Sequence, residues 1–174
     1  MSIPPATPSL SLAEWIVLTL VDEAPAHGFA IAALTAEDGD VGRVWHVPRP
    51  IVYRAADRLT AAGLLVVAET QAGHRGPQRS ILTVTPEGAA AVAGWLDRPV
   101  RHVRELRSEF LVKLALLTRR GLPVGDLAAA QRAVIAPLEP ALARRRDEAA
   151  GFAAILAAWR HENARAALNF LDGL

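Results

Sequence analysis

Residues 48–87 read PRPIVYRAADRLTAAGLLVVAETQAGHRGPQRSILTVTPE, and a change of period inside them decides the fold. Up to Ala62 the pattern is helical, with Ile51, Val52, Ala55 and Leu59 on one side of a 3.6-residue repeat. Pro48 and Pro50 suit a first turn, where a missing amide costs least, and Gly63 suits the left-handed residue that follows a helix. From Leu64 the period is two. Leu64–Thr70 and Ser80–Thr85, rich in Val, Leu, Ile and Thr, read as strands joined by a basic, turn-rich tip over 71–79. Thr85-Pro86-Glu87 then opens a helix that runs to about Leu96, with an N-cap hydroxyl, a proline at the first position and an acid at the positive end of the dipole.

Upstream, Ser11-Leu12-Ala13-Glu14 forms a capping box ahead of the apolar run Trp15–Val21. A second helix is expected from His27 to about Ala36, before a loop marked by Asp38-Gly39-Asp40 and Gly42. Downstream of Asp97-Arg98-Pro99 everything reads as helix. One stretch, 103–118, aligns Val103, Leu106, Phe110, Leu114 and Leu117. A second, 124–150, contains Pro137 and Pro140, which predict a kink or a break. The last, Phe152 to about Leu171, places Ile155, Leu156, Trp159, Asn163, Ala166, Ala167 and Phe170 on one side. The expected fold is therefore mainly α with a small β-hairpin wing. A winged helix-turn-helix domain takes residues 1–99 and a helical domain residues 100–174.

Composition narrows the chemistry. Of the 174 residues 52% are hydrophobic, which is enough for a core and excludes disorder over most of the chain. With no cysteine there are no disulfides, thiolate metal sites or thiol nucleophiles, which fits a reducing cytosol. No apolar run reaches the length of a membrane span, and Met1–Ser9 lacks the charged start and apolar stretch of a signal peptide. His27, His46, His74, His102 and His161 have no metal-ligand spacing, and no nucleotide-binding glycine loop or nucleophile elbow occurs. Glu105 and Glu109 stand at i, i+4 among Arg104, Arg107 and Lys113 and read as a surface ion network. Neither a metal, a cofactor nor an enzyme activity is expected.

A net charge of +1 is less informative than its distribution. Residues 1–40 carry six acids and no Lys or Arg. Residues 41–83 carry six arginines against Asp57 and Glu69. This basic footprint coincides with the two elements that a winged helix presents to DNA. The third helix enters the major groove and the wing lies on the backbone or minor groove. Arg49, Tyr53, Arg54 and Arg58 belong to the helix, and His74, Arg75, Gln78 and Arg79 to the wing. Each has a plainer reading. Tyr53 could close the edge of the core, Arg54 could pair with Asp57 or Asp38, Arg58 could pair with Asp57, and the wing arginines could be solvated. His27 reads best as a helix cap.

The ordered motifs Leu10-Ser11-Leu12, His27-Gly28-Phe29-Ala30-Ile31, Ile51-Val52-Tyr53-Arg54, Arg58-Leu59, Gly63-Leu64-Leu65 and Thr83-Val84-Thr85-Pro86-Glu87-Gly88 resemble the PadR family of bacterial transcriptional regulators. The resemblance spans about residues 10–90 by motif and the rest by architecture. It implies a cytoplasmic homodimer that binds double-stranded DNA at an inverted-repeat operator, usually as a repressor, and is released in several members by a small phenolic or other aromatic effector. In that frame Tyr53 matches a tyrosine that touches the DNA backbone, and Gly76–Arg79 match the basic wing. Arg49 and Pro50 stand where members more often carry Ser, Thr or Gly. The apolar stripes place a dimer interface on Leu106, Phe110, Leu114, Phe152, Ile155, Leu156, Trp159 and Phe170. Arg104, Arg107, Trp159, His161 and Asn163 are the expected effector contacts, an indole to stack on a ring and guanidinium groups to meet a carboxylate. The alternatives are a MarR-type regulator, or a winged-helix module that binds proteins without specific DNA binding.

Overall fold

Ser11 and Glu14 close the capping box. The Ser11 amide donates to the Glu14 carboxylate at 2.7 Å, and the Glu14 amide donates to the Ser11 hydroxyl at 3.3 Å. They start α1 (Leu12–Glu23) in a computed structural model that describes residues 9–71 and 79–174. Every residue of α1 from Glu14 to Val21 is buried, so this helix is the axis of the N-terminal core. Around it pack α2 (Gly28–Leu34), α3 (Arg49–Ala61), β2 (Arg79–Val84) and α4 (Pro86–Leu96). The His27 ring caps α2, its Nδ1 accepting from the Ala30 amide at 3.0 Å. α2 is shorter than the sequence pattern suggests, because Thr35 leaves the helix to bond the Val47 carbonyl at 3.3 Å.

The period change at Gly63 is a real boundary. Gly63 follows α3 with φ of 72°, the left-handed conformation that ends a helix at least cost in glycine. β1 (Leu65–Gln71) then pairs antiparallel with β2, Leu65 opposite Val84 and Gln71 opposite Arg79, with a bulge between Val67 and Glu69. Ala26 adds a rung that the sequence pattern does not announce, exchanging both backbone hydrogen bonds with Leu82 at 3.1 and 3.0 Å. Thr85 accepts from the Gly88 amide and its hydroxyl lies 2.8 Å from the Gly63 carbonyl, locking the start of α4 to the end of α3.

The C-terminal half enters through a 3-10 turn (Val103–Glu105) and a π turn (Leu106–Phe110) into α5 (Leu111–Arg119). It continues as α6 (Gly125–Ile135), α7 (Leu138–Glu148) and α8 (Gly151–Leu171). Of the two prolines, Pro137 separates α6 from α7, while Pro140 falls in the first turn of α7, where a proline is tolerated. Leu106, Phe110 and Leu114, expected at a dimer interface, are instead buried inside the protomer, Phe110 completely. They join one hydrophobic cluster that runs from α1 through α5 and α6 to α8, so their stripe meets this chain's own core.

That core is tied by polar contacts. Trp15 and Trp95 stack with ring centroids 5.1 Å apart. Lys113, the only lysine, is buried against the Trp95 ring, 2.7 Å from the Arg98 carbonyl and 2.8 Å from Glu109, which also accepts from the Trp95 indole. Burial pushes its ammonium below the ordinary lysine value, and the Glu109 carboxylate opposes that push. The expected surface network at Glu105 and Glu109 is thus partly an internal one, with Glu105 accepting from the His102 amide. Gln131, fully buried, bonds both backbone groups of Val100. Finally, Arg119 bridges Glu23 and Asp40, and Arg120 meets Asp22 at 2.6 Å. Three of the six acids before residue 41 are therefore engaged at the C-terminal end of α5.

Candidate nucleic-acid interface

α3 buries Val52, Ala55, Ala56 and Leu59 and exposes Arg49, Tyr53, Arg54, Asp57 and Arg58. At about 100° per residue, Arg49 and Arg58 stand at opposite margins of the outward arc, with Tyr53, Asp57 and Arg54 between them. Each margin is fastened to a neighbouring helix. Arg58 reaches Glu14 of α1 at 3.4 Å while its side chain stays 75% exposed. Burial works against the ionised form of Glu14. Even so, the Ser11 amide and hydroxyl and the Arg58 guanidinium together hold the carboxyl below its ordinary value.

At the other margin Tyr53 lies on the first turn of α2. A Cβ on Gly28 would come within 2.7 Å of the Tyr53 ring, so glycine there is what lets the ring settle. The ring remains partly exposed. Arg49 extends over two rings, 5.2 Å from the Phe29 centroid and 5.7 Å from that of Tyr53, with one guanidinium nitrogen 3.5 Å from the Tyr53 hydroxyl. Phe29 itself is 56% exposed. A groove of about 270 Å³ runs beside it, lined by Ala32, Ala33, Ala36, His46 and Val47.

Arg54 and Asp57 occupy the centre of the arc. Among the described residues neither forms an ion pair, so the expected pairing of Asp57 with Arg54 or Arg58 is not made. The arc thus presents three guanidinium groups, a phenol and one carboxylate. Its donors match phosphate oxygens and the guanine edge, and its acceptor matches the cytosine amino group. His74, Arg75 and Gln78 lie outside the described residues, and Arg79 is placed by its backbone as the first residue of β2. Two residues of the interface escaped the sequence reading. Phe29 stands in the sequence only as part of a motif of the second helix, and Glu14 reads there as a cap alone. The signal for Phe29 was its neighbour Gly28, since a glycine opening a helix announces a close approach.

α8 presents the second surface. Its buried line is Ala157, His161, Ala164, Ala167 and Leu171, and it packs on α7 and α6. Phe152, Ile155, Trp159 and Phe170 are exposed, the first three by two thirds or more, while Leu156 is partly buried. The expected effector constellation is not brought together. His161 is turned inward, its Nε2 2.6 Å from Glu139 and its Nδ1 3.2 Å from Arg146. Trp159 precedes it by two positions, about 200° around the helix, and is exposed. Asn163 donates back to the Trp159 carbonyl at 2.6 Å. Arg104 and Arg107 are exposed before α5, and no described cavity joins them to Trp159.

Among the described residues no group of three or more His, Cys, Asp or Glu could hold a metal ion, and no helix is long and apolar enough to cross a membrane. No protein-family model matches the sequence, and no curated protein matches it. Among solved structures, the fold is similar to that of the PadR protein of Bacillus subtilis in complex with operator DNA. The TM-score is 0.50 at 16% identity, over 94% of this chain and 96% of that one. The smu.1604c protein of Streptococcus mutans gives a TM-score of 0.46 at 16% identity, over 92% and 96% of the two chains. At such identity the first likeness is one of fold, and it covers the winged helix and the C-terminal helices alike.

Proposed function

We propose that this protein is a PadR-type transcriptional regulator, a homodimeric repressor that binds an inverted-repeat operator through α3 and the wing. The observation that carries this reading is the outward arc of α3. It presents Arg49, Arg54 and Arg58 against a single carboxylate, Asp57, while Glu14, Asp22, Glu23 and Asp40 are held in ion pairs with Arg58, Arg119 and Arg120. A duplex offers the complementary surface, phosphates to neutralise and base edges to read. The fold likeness to PadR, solved with operator DNA, supports the same reading.

The dimer follows from α8. Phe152, Ile155, Trp159 and Phe170 are too large an exposed apolar stripe to leave in water, and a second copy covers them isologously. An inverted repeat read in successive major grooves needs the two copies of α3 about 34 Å apart across the two-fold axis. An aromatic effector would act by linkage, through a difference in its affinity for the DNA-competent and DNA-free spacings of those helices.

The test is binding of full-length protein to a selected duplex and to random duplex across a salt series. If a dimer neutralises roughly 6–10 phosphates, log K falls against log salt with a slope of about −5 to −9. Equal, salt-insensitive affinity for both duplexes would overturn the reading.

A further inference from the structure

We propose that Arg49 is a base-reading residue that selects guanine at one position of each half-site, with Phe29 as its positioning residue. This rests on the function proposed above and names a specificity determinant within it. Arg49 is the first residue of α3, and the N-terminal turn of a recognition helix is the part that meets base edges. An exposed arginine ordinarily samples many rotamers. Here the guanidinium lies over the Phe29 and Tyr53 rings, at 5.2 and 5.7 Å from their centroids, a cation–π arrangement that restricts those rotamers before DNA arrives. Such contacts hold the group through its charge and use none of its hydrogen-bond donors. Its in-plane N–H edge, apart from one long contact to the Tyr53 hydroxyl, stays available for a forked contact.

Orientation separates the two possible uses of this arginine. A phosphate anchor needs only charge within reach. A bidentate contact to guanine O6 and N7 needs the fork held in place, and contacts to two rings and the Tyr53 hydroxyl restrict it. They also account for Phe29, whose ring is 56% exposed at the margin of a charged face where burial gives no reason for it. Arg54 lies five residues further on, about 140° around the helix and about 7.5 Å along it, so the two arginines address different base pairs.

The experiment is selection from a randomised duplex pool with the wild type, Arg49→Ala, Arg49→Lys, Phe29→Leu, Phe29→Ala and the Phe29→Ala/Arg49→Ala pair, each checked by thermal melting. The wild type is expected to enrich an inverted repeat with guanine at one symmetric pair of positions. Arg49→Ala should lose that preference by about tenfold or more and keep the others. Arg49→Lys should lose it too while retaining most of the overall affinity and salt slope. Phe29→Ala should weaken the same preference several-fold, Phe29→Leu by a similar factor, and Phe29→Ala should add nothing once Arg49 is Ala. If Arg49→Ala retains every base preference while all duplexes weaken equally, Arg49 is a phosphate anchor and the inference is wrong. An effect of Phe29→Ala that spreads over all positions, or persists without Arg49, removes the positioning role. Should the wild type enrich no site, the operator-binding reading itself fails and this inference with it.

Discussion

Along α1 the large apolar residues Trp15, Ile16, Leu18 and Leu20 are buried, whereas along α8 Phe152, Ile155 and Trp159 are exposed and the buried line is mostly alanine. Both helices are apolar, yet they use that character in opposite directions. In the N-terminal unit α1 encloses its large side chains and α3 turns charge outward. The α8 face places small side chains toward α7 and α6, which permits close approach, and leaves the large ones outside. The first is a finished core with a polar surface, and the second is an apolar face left uncovered within the protomer. Apolar content alone does not distinguish them; the direction of each face does.

The contrast can be broken first at α8. Ile155→Asp with Trp159→Asp should dissociate the proposed dimer while leaving the protomer folded, because both side chains are already in water within the protomer. Losing two such contacts in each copy costs about 4 kcal/mol or more, roughly a thousandfold in the dimer dissociation constant. Sedimentation velocity reads this, and a variant that remains dimeric at micromolar concentration would refute the interface.

The complementary change is Leu59→Ala on the buried side of α3, where no solvent contact remains. It should lower stability by about 2–5 kcal/mol in urea unfolding, through lost transfer energy and the cavity left behind. Little change would mean that the N-terminal core is looser than described. Next comes Arg54→Ala, at the centre of the charged arc. It should cost about 1–3 kcal/mol per half-site on the selected operator, with a smaller loss on random duplex. An unchanged operator-to-random ratio would assign Arg54 to the phosphates.

Acid titration probes how α1 is fastened to α3. Glu14 has a folded-state pKa below its ordinary 4.5, so its ionised form contributes stability that is fully present above that value. This contribution is lost as pH falls through the lower folded value. Thermal melts of Glu14→Gln against wild type should therefore separate above pH 4.5 and converge as pH falls below it. Parallel pH profiles would show that Glu14 does not couple to folding. The smallest effect is expected at Asp57, the one carboxylate on the arc. Asp57→Ala should raise affinity for random duplex about two- to fivefold, as a charge facing phosphate is removed. Titration at low salt measures it, and weaker binding would give Asp57 an attractive role instead.

Much of this architecture was legible in advance. The capping box at Ser11, the helix end at Gly63, the hairpin and the Thr85-Pro86 helix start all appear at or within a residue of their expected positions. Such signals act over a few residues, between a side chain and the backbone beside it, so spacing along the chain is enough to expose them. The outward arginines of α3 were legible for the same reason, since one side of the helix was already claimed by Ile51, Val52, Ala55 and Leu59.

Partners distant in the chain were not. The stripe containing Phe110 and Leu114 and the stripe containing Ile155 and Trp159 look alike in sequence, yet one is enclosed in the protomer and the other is exposed. Likewise His161 pairs with Glu139, Arg119 with Glu23, and Arg49 stacks on Phe29, none of which any local pattern requires. Periodicity shows that a helix has an apolar face without naming what the face meets. By itself the sequence determined the elements, their order and which side of α3 is polar. Tertiary structure decided which apolar stripe is internal, which charges are neutralised and which arginine is held in place, because those outcomes depend on contacts between residues far apart along the chain.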